Sequence, residues 1–240
     1  MRIRFGIVGA GQIAQLVSPV FRDDPRIAVT AVADVDRERA VRLAEAVKKD
    51  LPVAVFEDYR EMLERDDVDA LYVCTPPFLH KEMVIASIQA GKHVLCEKPF
   101  VIGAEQVKEI MREAEKRPGV RVGCCSCRFH DSATVRRARE LIQAGELGPV
   151  YRLTFEAVSA AFAVGARLPE WRNDPARNGG GIAYDWGVYD LDWIGYLLGD
   201  RVRPRRLFAS MGKYFALTEE RVPPAPHVDG WFSAEILCED

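Results

Sequence analysis

The sequence predicts a doubly wound α/β domain with a parallel sheet, followed by an α+β domain built on a mostly antiparallel sheet. Three observations predict it. The first half alternates short apolar runs with helical stretches about six times, which is the pattern of βα repeats. Those runs are rich in Val, Ala, Ile and Cys and hardly alternate, as strands buried on both faces do. The second half follows a different pattern, with two helical segments and then long alternating runs toward the end of the chain.

Strands are predicted at 3–8, 27–33, 53–56, 69–74, 93–96 and 120–125, with helices between them near 12–22, 36–49, 57–65, 79–90 and 103–116. Asp36 precedes Arg37-Glu38-Arg39 as an N-cap, and Gly91 follows Gln89-Ala90 as a C-cap. Pro19 should kink the first helix or lie near its end. A helix near 132–144 stops at Gly145, and 151–156 alternates like a half-exposed strand. Residues 159–181 read as a loop carrying Trp171, Arg172, Asn173 and three consecutive glycines. A helix near 182–198 stops at Gly199. Strands at 204–213 and 229–238 flank a loop with Pro223, Pro224 and Pro226. The domains divide at 1–123 and 124–240. The last strand leaves a sheet edge needing a partner, so the second domain is expected to be incomplete here or covered by another chain.

Composition excludes several function classes. Of 240 residues, 48% are apolar and 29% charged, with 33 basic against 36 acidic side chains. That is globular composition without the basic footprint of a nucleic-acid or anionic-membrane binder. No signal peptide is expected at Met1, and no apolar stretch approaches the ~20 residues of a membrane span. The expected location is cytoplasmic, where six cysteines read as reduced thiols. Cys124, Cys125 and Cys127 lie near His130, but a metal site needs a second ligand pair, which only Cys238 and His227 offer. A thiol-rich buried strand is the plainer reading, and no metal is expected.

Gly9-Ala10-Gly11-Gln12-Ile13-Ala14 follows the first strand and opens the first helix. Gly9 permits a tight turn, Gly11 a close approach of backbone to pyrophosphate, and Ala14 close packing of helix on strand. The helix N-terminus offers N–H groups and a positive dipole end to phosphates. Asp34 ends the second strand about 20 residues on, the position that meets the adenosine ribose. An acid there favours NAD over NADP, and Arg37 would receive a 2′-phosphate if Asp34 turned away. Thr75-Pro76-Pro77 ends the fourth strand, with His80 just beyond as either a first-turn residue or a ribose or substrate contact.

Lys98 follows the run Val94-Leu95-Cys96 and precedes Pro99, which restricts its backbone. At a strand end facing a coenzyme crevice, it can hold a substrate oxygen and lower the pKa of a neighbouring acid. Asp185, Tyr189 and Asp192 are spaced to share one helix face. A glycine run at 179–181 permits a sharp turn close to a ligand.

The opening G-A-G-Q-I-A, Thr75-Pro76-Pro77-Phe78-Leu79-His80, Gly91-Lys92-His93-Val94-Leu95-Cys96-Glu97-Lys98-Pro99 and the stretch from Gly179 to Asp192 together resemble the Gfo/Idh/MocA oxidoreductase family. The resemblance implies a Rossmann domain, an α/β domain on a large, mostly antiparallel sheet, and NAD(P)-dependent chemistry on sugars, polyols and related carbonyl compounds. Many members carry histidine where this chain has Tyr189. Tyrosine there resembles the branch of glucose–fructose oxidoreductase, D-xylose dehydrogenase and dimeric dihydrodiol dehydrogenase. Members usually run longer, so this chain is expected to stop midway through the second sheet, and the full-length protein to form a homo-oligomer through that sheet.

The expected site follows. The coenzyme, NAD in preference to NADP, meets Gly9, Gly11, Gln12, Ile13, Asp34, Arg37, Thr75, Pro76, His80, Glu97 and Lys98. The substrate, a sugar-like or polyol-like small molecule, meets Lys98, Trp171, Arg172, Asp185 and Tyr189. Tyr189 is the expected general acid/base, Lys98 the cation that tunes it, and Asp185 the group that orients substrate or Lys98. Two other readings stand beside this one: a hydrolase or lyase that recycles its NAD, and a non-catalytic nucleotide-binding subunit.

Overall fold

The computed structural model describes residues 2–156, 169–199, 202–212 and 229–238. The chain forms two compact units, Met1–Cys125 and Ser126–Asp240.

In the first unit, β1 (Ile3–Val8), β2 (Ile27–Ala33), β3 (Ala54–Phe56), β4 (Ala70–Val73), β5 (His93–Cys96) and β6 (Val122–Cys124) alternate with helices. The helices are α1 (Gln12–Asp23), α2 (Arg37–Val47), α3 (Arg60–Leu63), α4 (His80–Gln89) and α5 (Ala104–Glu115). All pairings are parallel, in the order β3-β2-β1-β4-β5-β6. Strand order therefore reverses beside β1, and the crevice outside the carboxyl ends of β1 and β4 is where such sheets bind ligands.

Consecutive strand residues serve opposite faces. Ile7, Val32 and Tyr72 join one apolar cluster with Ala14, Phe21 and Leu43 from α1 and α2. Their neighbours Val8, Ala31, Leu71 and Val73 join another with Met62, Val84, Ile88 and Ile110 from α3, α4 and α5. This period of two, with helices on both sides, explains why the strands read as unbroken apolar runs. Fully buried side chains such as Leu71 and Ile88 contribute about 1.5–3 kcal/mol each. Asp36 caps α2 as expected: its Oδ1 accepts from Arg39 N at 3.1 Å, an interaction worth about 1 kcal/mol. Pro19 lies inside α1, near its end.

In the second unit, α6 (Ala133–Gln143) packs Val135 and Ile142 with Leu197 of α9 (Gly187–Leu198). Two four-residue helices precede α9: α7 (Pro175–Asn178) and α8 (Ile182–Asp185). Strands β7 (Pro204–Gly212) and β8 (Trp231–Cys238) form an antiparallel pair.

Four expectations change. Residues 151–156 form no strand: they are exposed and without regular structure, because alternation alone supplies no partner for the ladder. The helix expected over 57–65 contracts to Arg60–Leu63. The helix expected over 182–198 is broken at Trp186 into α8 and α9. The cysteine cluster is not a buried strand, since Cys124 and Cys125 are half-buried and Cys127 exposed, while Cys74 and Cys96 are the buried thiols. Most of the expected loop before the glycine run, the Pro223–Pro226 loop and His227 lie outside the described residues.

Candidate functional site

The glycine loop is built for close approach. Gly9 has φ +90°, and a Cβ there would lie 3.0 Å from the Cys74 carbonyl and from Thr75 Cγ2. It must be glycine on both counts. The loop thus passes directly beside the end of β4. A Cβ at Gly11 would meet nothing within 4 Å, so Gly11 keeps open space in front of the backbone instead of packing against protein. It is the N-cap of α1, which has no side-chain cap, and Ala14 is fully buried. A cleft of about 260 Å³ opens here, lined by Ala10, Gly11, Gln12, Gln15, Arg39 and Arg42. Open backbone, a helix N-terminus and two guanidinium groups fit a pyrophosphate-bearing coenzyme.

Asp34 stands at the end of β2, and both its oxygens accept from loop backbone: Oδ2 from Ala10 N at 2.6 Å and Oδ1 from Asp36 N at 2.8 Å. It therefore ties the β1–α1 loop to the β2–α2 loop. Arg37 is exposed; the arginines that line the cleft are Arg39 and Arg42, further along α2. The signal for them is the recurrence of arginine along that helix, of which Arg37 is only the member nearest Asp34.

The β4 and β5 ends are joined by His80, whose side chain is fully buried. Its Nε2 lies 2.7 Å from Thr75 O, and its Nδ1 lies 3.0 Å from the carbonyl oxygens of both Pro99 and Phe100. Burial lowers its pKa below an ordinary imidazole's, against the backbone carbonyls, which raise it. Of the two expectations for His80, the structure shows the first-turn residue: it opens α4, and both its nitrogens face protein carbonyls. Glu97 is likewise engaged inside the protein, 8% exposed. Its Oε1 accepts from Tyr72 Oη at 2.6 Å and its Oε2 from Lys98 N at 3.1 Å. Burial first, then the neighbouring Cys74 thiol and Glu97 carboxylate, push the Tyr72 phenol far up, so it stays a donor. Burial also raises the Cys74 and Cys96 thiols, which keeps them unreactive. Lys98 is half-buried at the end of β5, and the Lys98–Pro99 peptide is cis. In an all-parallel sheet, Gly9, Thr75, Pro76 and Lys98 all stand at the same edge.

In the second unit, Tyr189 is 7% exposed on α9. Phe129 and Trp186 meet its ring edge-on at 5.9 and 5.8 Å, and the Arg128 guanidinium lies 5.6 Å over it. Asp185, at the end of α8, accepts from Arg172 Nη1 at 2.9 Å, and that guanidinium lies 4.9 Å over the Trp171 ring. Trp171, Arg172 and Asp185 therefore form one contiguous group. The break at Trp186 separates Asp185, on α8, from Tyr189 and Asp192, on α9, so the three do not share the one helix face expected of them. Asp192 accepts from Ser126 Oγ at 2.9 Å and pairs with His130 Nε2 at 2.6 Å, fixing the 126–130 segment to α9.

The glycine run is expected to approach a ligand. The structure shows what it does approach: a Cβ on Gly181 would lie 1.9 Å from the Asp229 carbonyl oxygen. The Asp229 carboxylate also caps α8, accepting from Gly181 N and Ala183 N at 2.8 Å each. Sequence reasoning misses Asp229 because nothing local links it to Gly181, the N-cap of α8, which lies 48 residues earlier. Gly181→Ala is expected to destabilise the chain by about 1–3 kcal/mol, the cost of forcing a methyl into a filled site. Urea unfolding measures it, and an unchanged midpoint contradicts it.

Asp190 supplies a pH-dependent expectation. Burial alone raises its carboxyl above the usual carboxylate range. The folded state then holds this proton more tightly than the unfolded state, so stability falls as pH rises through the interval between the two values. Asp190→Asn should raise the melting temperature at pH 7, and the gain should vanish at pH values below the ordinary carboxylate range. A gain that persists there would assign it to packing instead.

Among the described residues there is no group of three or more side chains able to hold a metal ion, and no helix long and apolar enough to cross a membrane.

Comparison with known proteins agrees with this arrangement. Residues 3–124 match the family model described as "Oxidoreductase family, NAD-binding Rossmann fold", and residues 135–235 match the GFO/IDH/MocA C-terminal domain. The chain is 34% identical over 204 residues to a dTDP-3,4-didehydro-2,6-dideoxy-alpha-D-glucose 3-reductase of Streptomyces violaceoruber, covering 85% of this chain and 56% of the relative. It is 33% identical over 240 residues to the trans-1,2-dihydrobenzene-1,2-diol dehydrogenase of Bos taurus, covering 99% and 68%. Among solved structures, a levoglucosan dehydrogenase in complex with NADH shares the fold at TM-score 0.75 and 20% identity, over 98% of this chain and 63% of that one. The chain spans little more than half the length of the first relatives it matches. With a family model over each unit and a relative one-third identical along nearly its whole length, the chain belongs to the GFO/IDH/MocA family of oxidoreductases, whose first domain is an NAD-binding Rossmann fold.

Proposed function

We propose that the whole protein is an NAD(P)-dependent oxidoreductase acting between a carbinol and a carbonyl carbon of a sugar, polyol or related small molecule. One observation carries this reading: the open glycine loop at Gly9–Gly11 and the lysine at the end of β5 stand on the same edge of one parallel sheet, beside its switch point. The coenzyme, when bound, supplies or receives the hydride. Gly11 and the first turn of α1 hold its phosphates, and Asp34 accepts from its ribose hydroxyls. Lys98 bears on the substrate oxygen and favours its anionic form. Tyr189 exchanges a proton with that oxygen. Asp185, already paired with Arg172, orients the substrate, with Trp171 as an apolar wall. The relatives named above reduce or oxidise sugar-like and dihydrodiol substrates by name, which supports the substrate class. Exposed Leu207, Phe208, Met211 and Trp231 on the β7–β8 pair offer apolar surface for the homo-oligomer contact.

The test is a spectrophotometric screen of the complete gene product with NAD and NADP over sugars, polyols and dihydrodiols. A dehydrogenase accumulates reduced coenzyme in proportion to product. Turnover of a substrate without net reduction of coenzyme would instead identify a hydrolase or lyase that recycles it, and binding without any turnover a non-catalytic subunit.

A further inference from the structure

We infer that Arg128 is a positioning residue for Tyr189: its guanidinium, held against the phenol ring, favours the ionised form and so the proton exchange proposed for that hydroxyl. The catalytic consequence rests on the function proposed above.

The guanidinium carbon lies 5.6 Å from the centre of the Tyr189 ring, 5.6 Å from that of Trp186 and 5.8 Å from that of Phe129. All four residues belong to the unit Ser126–Asp240. A cation within about 6 Å of a ring centroid is attracted by the ring's negative face. For phenylalanine and tryptophan the attraction ends there. A phenolate shares its charge between the oxygen and the ring carbons, so the same guanidinium attracts it far more strongly than it attracts the neutral phenol. The cation is also permanent, since arginine keeps its proton in proteins.

The segment that bears Arg128 is fixed on either side of it. Ser126 Oγ donates to Asp192 Oδ1 at 2.9 Å, and His130 Nε2 meets Asp192 Oδ2 at 2.6 Å. The His130 ring stacks on Tyr196 with centroids 3.9 Å apart, and Phe129 packs on Trp193 at 5.2 Å. Asp192, Trp193 and Tyr196 all lie on α9, the helix that carries Tyr189. One helix therefore holds both the phenol and the loop that brings a cation to it.

The other charged groups on the elements around α9 have different partners or the opposite sign. Asp185 of α8 pairs with Arg172. On α6, Arg139 lies 4.3 Å over the Tyr196 ring, Arg136 meets Asp131 and Arg137 meets Glu140. Arg152 and Glu156 beside Phe155, and Glu235 on β8, are exposed. Asp190 follows Tyr189 in α9 and is half-buried. A neighbouring carboxylate and burial of the ring both disfavour a phenolate, and Arg128 opposes them.

The experiment titrates the Tyr189 phenol directly. The complete gene product is made with tyrosine isotopically labelled at Cζ, the Tyr189 signal is identified by its loss in Tyr189→Phe, and its ionisation is followed by NMR. Arg128→Gln and Arg128→Met remove the charge, and Arg128→Lys keeps it. Arg128 is exposed, circular dichroism checks the fold of each variant, and the second neutral variant reports if the first folds poorly. In the neutral variants the phenol should ionise about 0.5–2 pH units higher than in wild type, the range Coulomb's law gives for a unit charge at this separation between surface and aqueous screening. Arg128→Lys should stay near wild type. The limb of the kcat profile set by Tyr189 should move with the phenol. A purely structural role would move the phenol the other way, because a loosened ring gains water. Equal titration in wild type and the neutral variants overturns the inference. So does a shift as large in Arg128→Lys, or a wild-type phenol still protonated after the other tyrosines have ionised. A phenol that shifts beneath an unchanged kcat profile removes Tyr189 from proton transfer, and the role of Arg128 with it. If the phenol shifts as expected and no substrate is turned over, the hold of Arg128 on the phenol stands and the proposed function alone fails.

Discussion

Tyr189→Phe is expected to lower kcat of the complete gene product by about 10²–10⁴-fold, the usual worth of positioned acid–base catalysis. The substitution isolates the hydroxyl. The ring is 7% exposed and held edge-on by Phe129 and Trp186 under the Arg128 guanidinium, contacts that phenylalanine keeps. Coenzyme affinity should stay near wild type, because the residues proposed to hold the dinucleotide all belong to the unit Met1–Cys125. Steady-state kinetics together with fluorescence titration of the reduced coenzyme would measure both. Turnover equal to wild type would remove the phenol from the chemistry. Loss of turnover together with loss of coenzyme binding would point to a folding defect.

Lys98→Met should cost about 10²–10³-fold in kcat, as loss of one preorganised charge at a developing oxyanion does. The backbone around it should survive. Lys98 N donates to Glu97, which also accepts from the buried Tyr72 hydroxyl, and neither bond uses the lysine side chain. Thermal unfolding of the variant is the control, since a large loss of stability would assign the effect to folding. A second readout separates electrostatics from simple substrate anchoring. If the ammonium tunes a proton-transfer group, the limb of the kcat profile set by that group (acidic for alcohol oxidation, basic for carbonyl reduction) shifts upward in pH in the variant. If only KM changes and kcat holds, Lys98 binds substrate and does nothing to the barrier.

The sequence is legible where structure is local or where burial is uniform. The six parallel strands show as apolar runs because both faces of each are covered, as the split of Ile7 and Val8 between two clusters demonstrates. The cap at Asp36 and the positive-φ turn at Gly9 are legible because the sequence marks each within a few residues. What escapes is decided at a distance. Residues 151–156 have the alternation of a strand and pair with no strand among the described residues. The Gly179–Gly181 run suggests room for a ligand, and the carboxylate and backbone of Asp229 come to fill part of that room. Asp192 reads as a member of a polar helix face, and its partners prove to be Ser126 and His130. His80 and Glu97 stand out in the sequence; the bonds they make do not, because the groups they bind, Thr75, Pro99, Phe100 and Tyr72, lie on other strands and loops.

The buried imidazole at position 80 has a consequence for how the crevice rim behaves. It pins the segment after β4 to the segment after β5, so the threonine on one and the lysine on the other cannot wander independently. The entropy of ordering that rim is lost once, during folding, and not again at every encounter with a small molecule. A rim assembled this way greets each incoming ligand already in shape, and its stiffness comes from a side chain whose two ring nitrogens both face protein carbonyls.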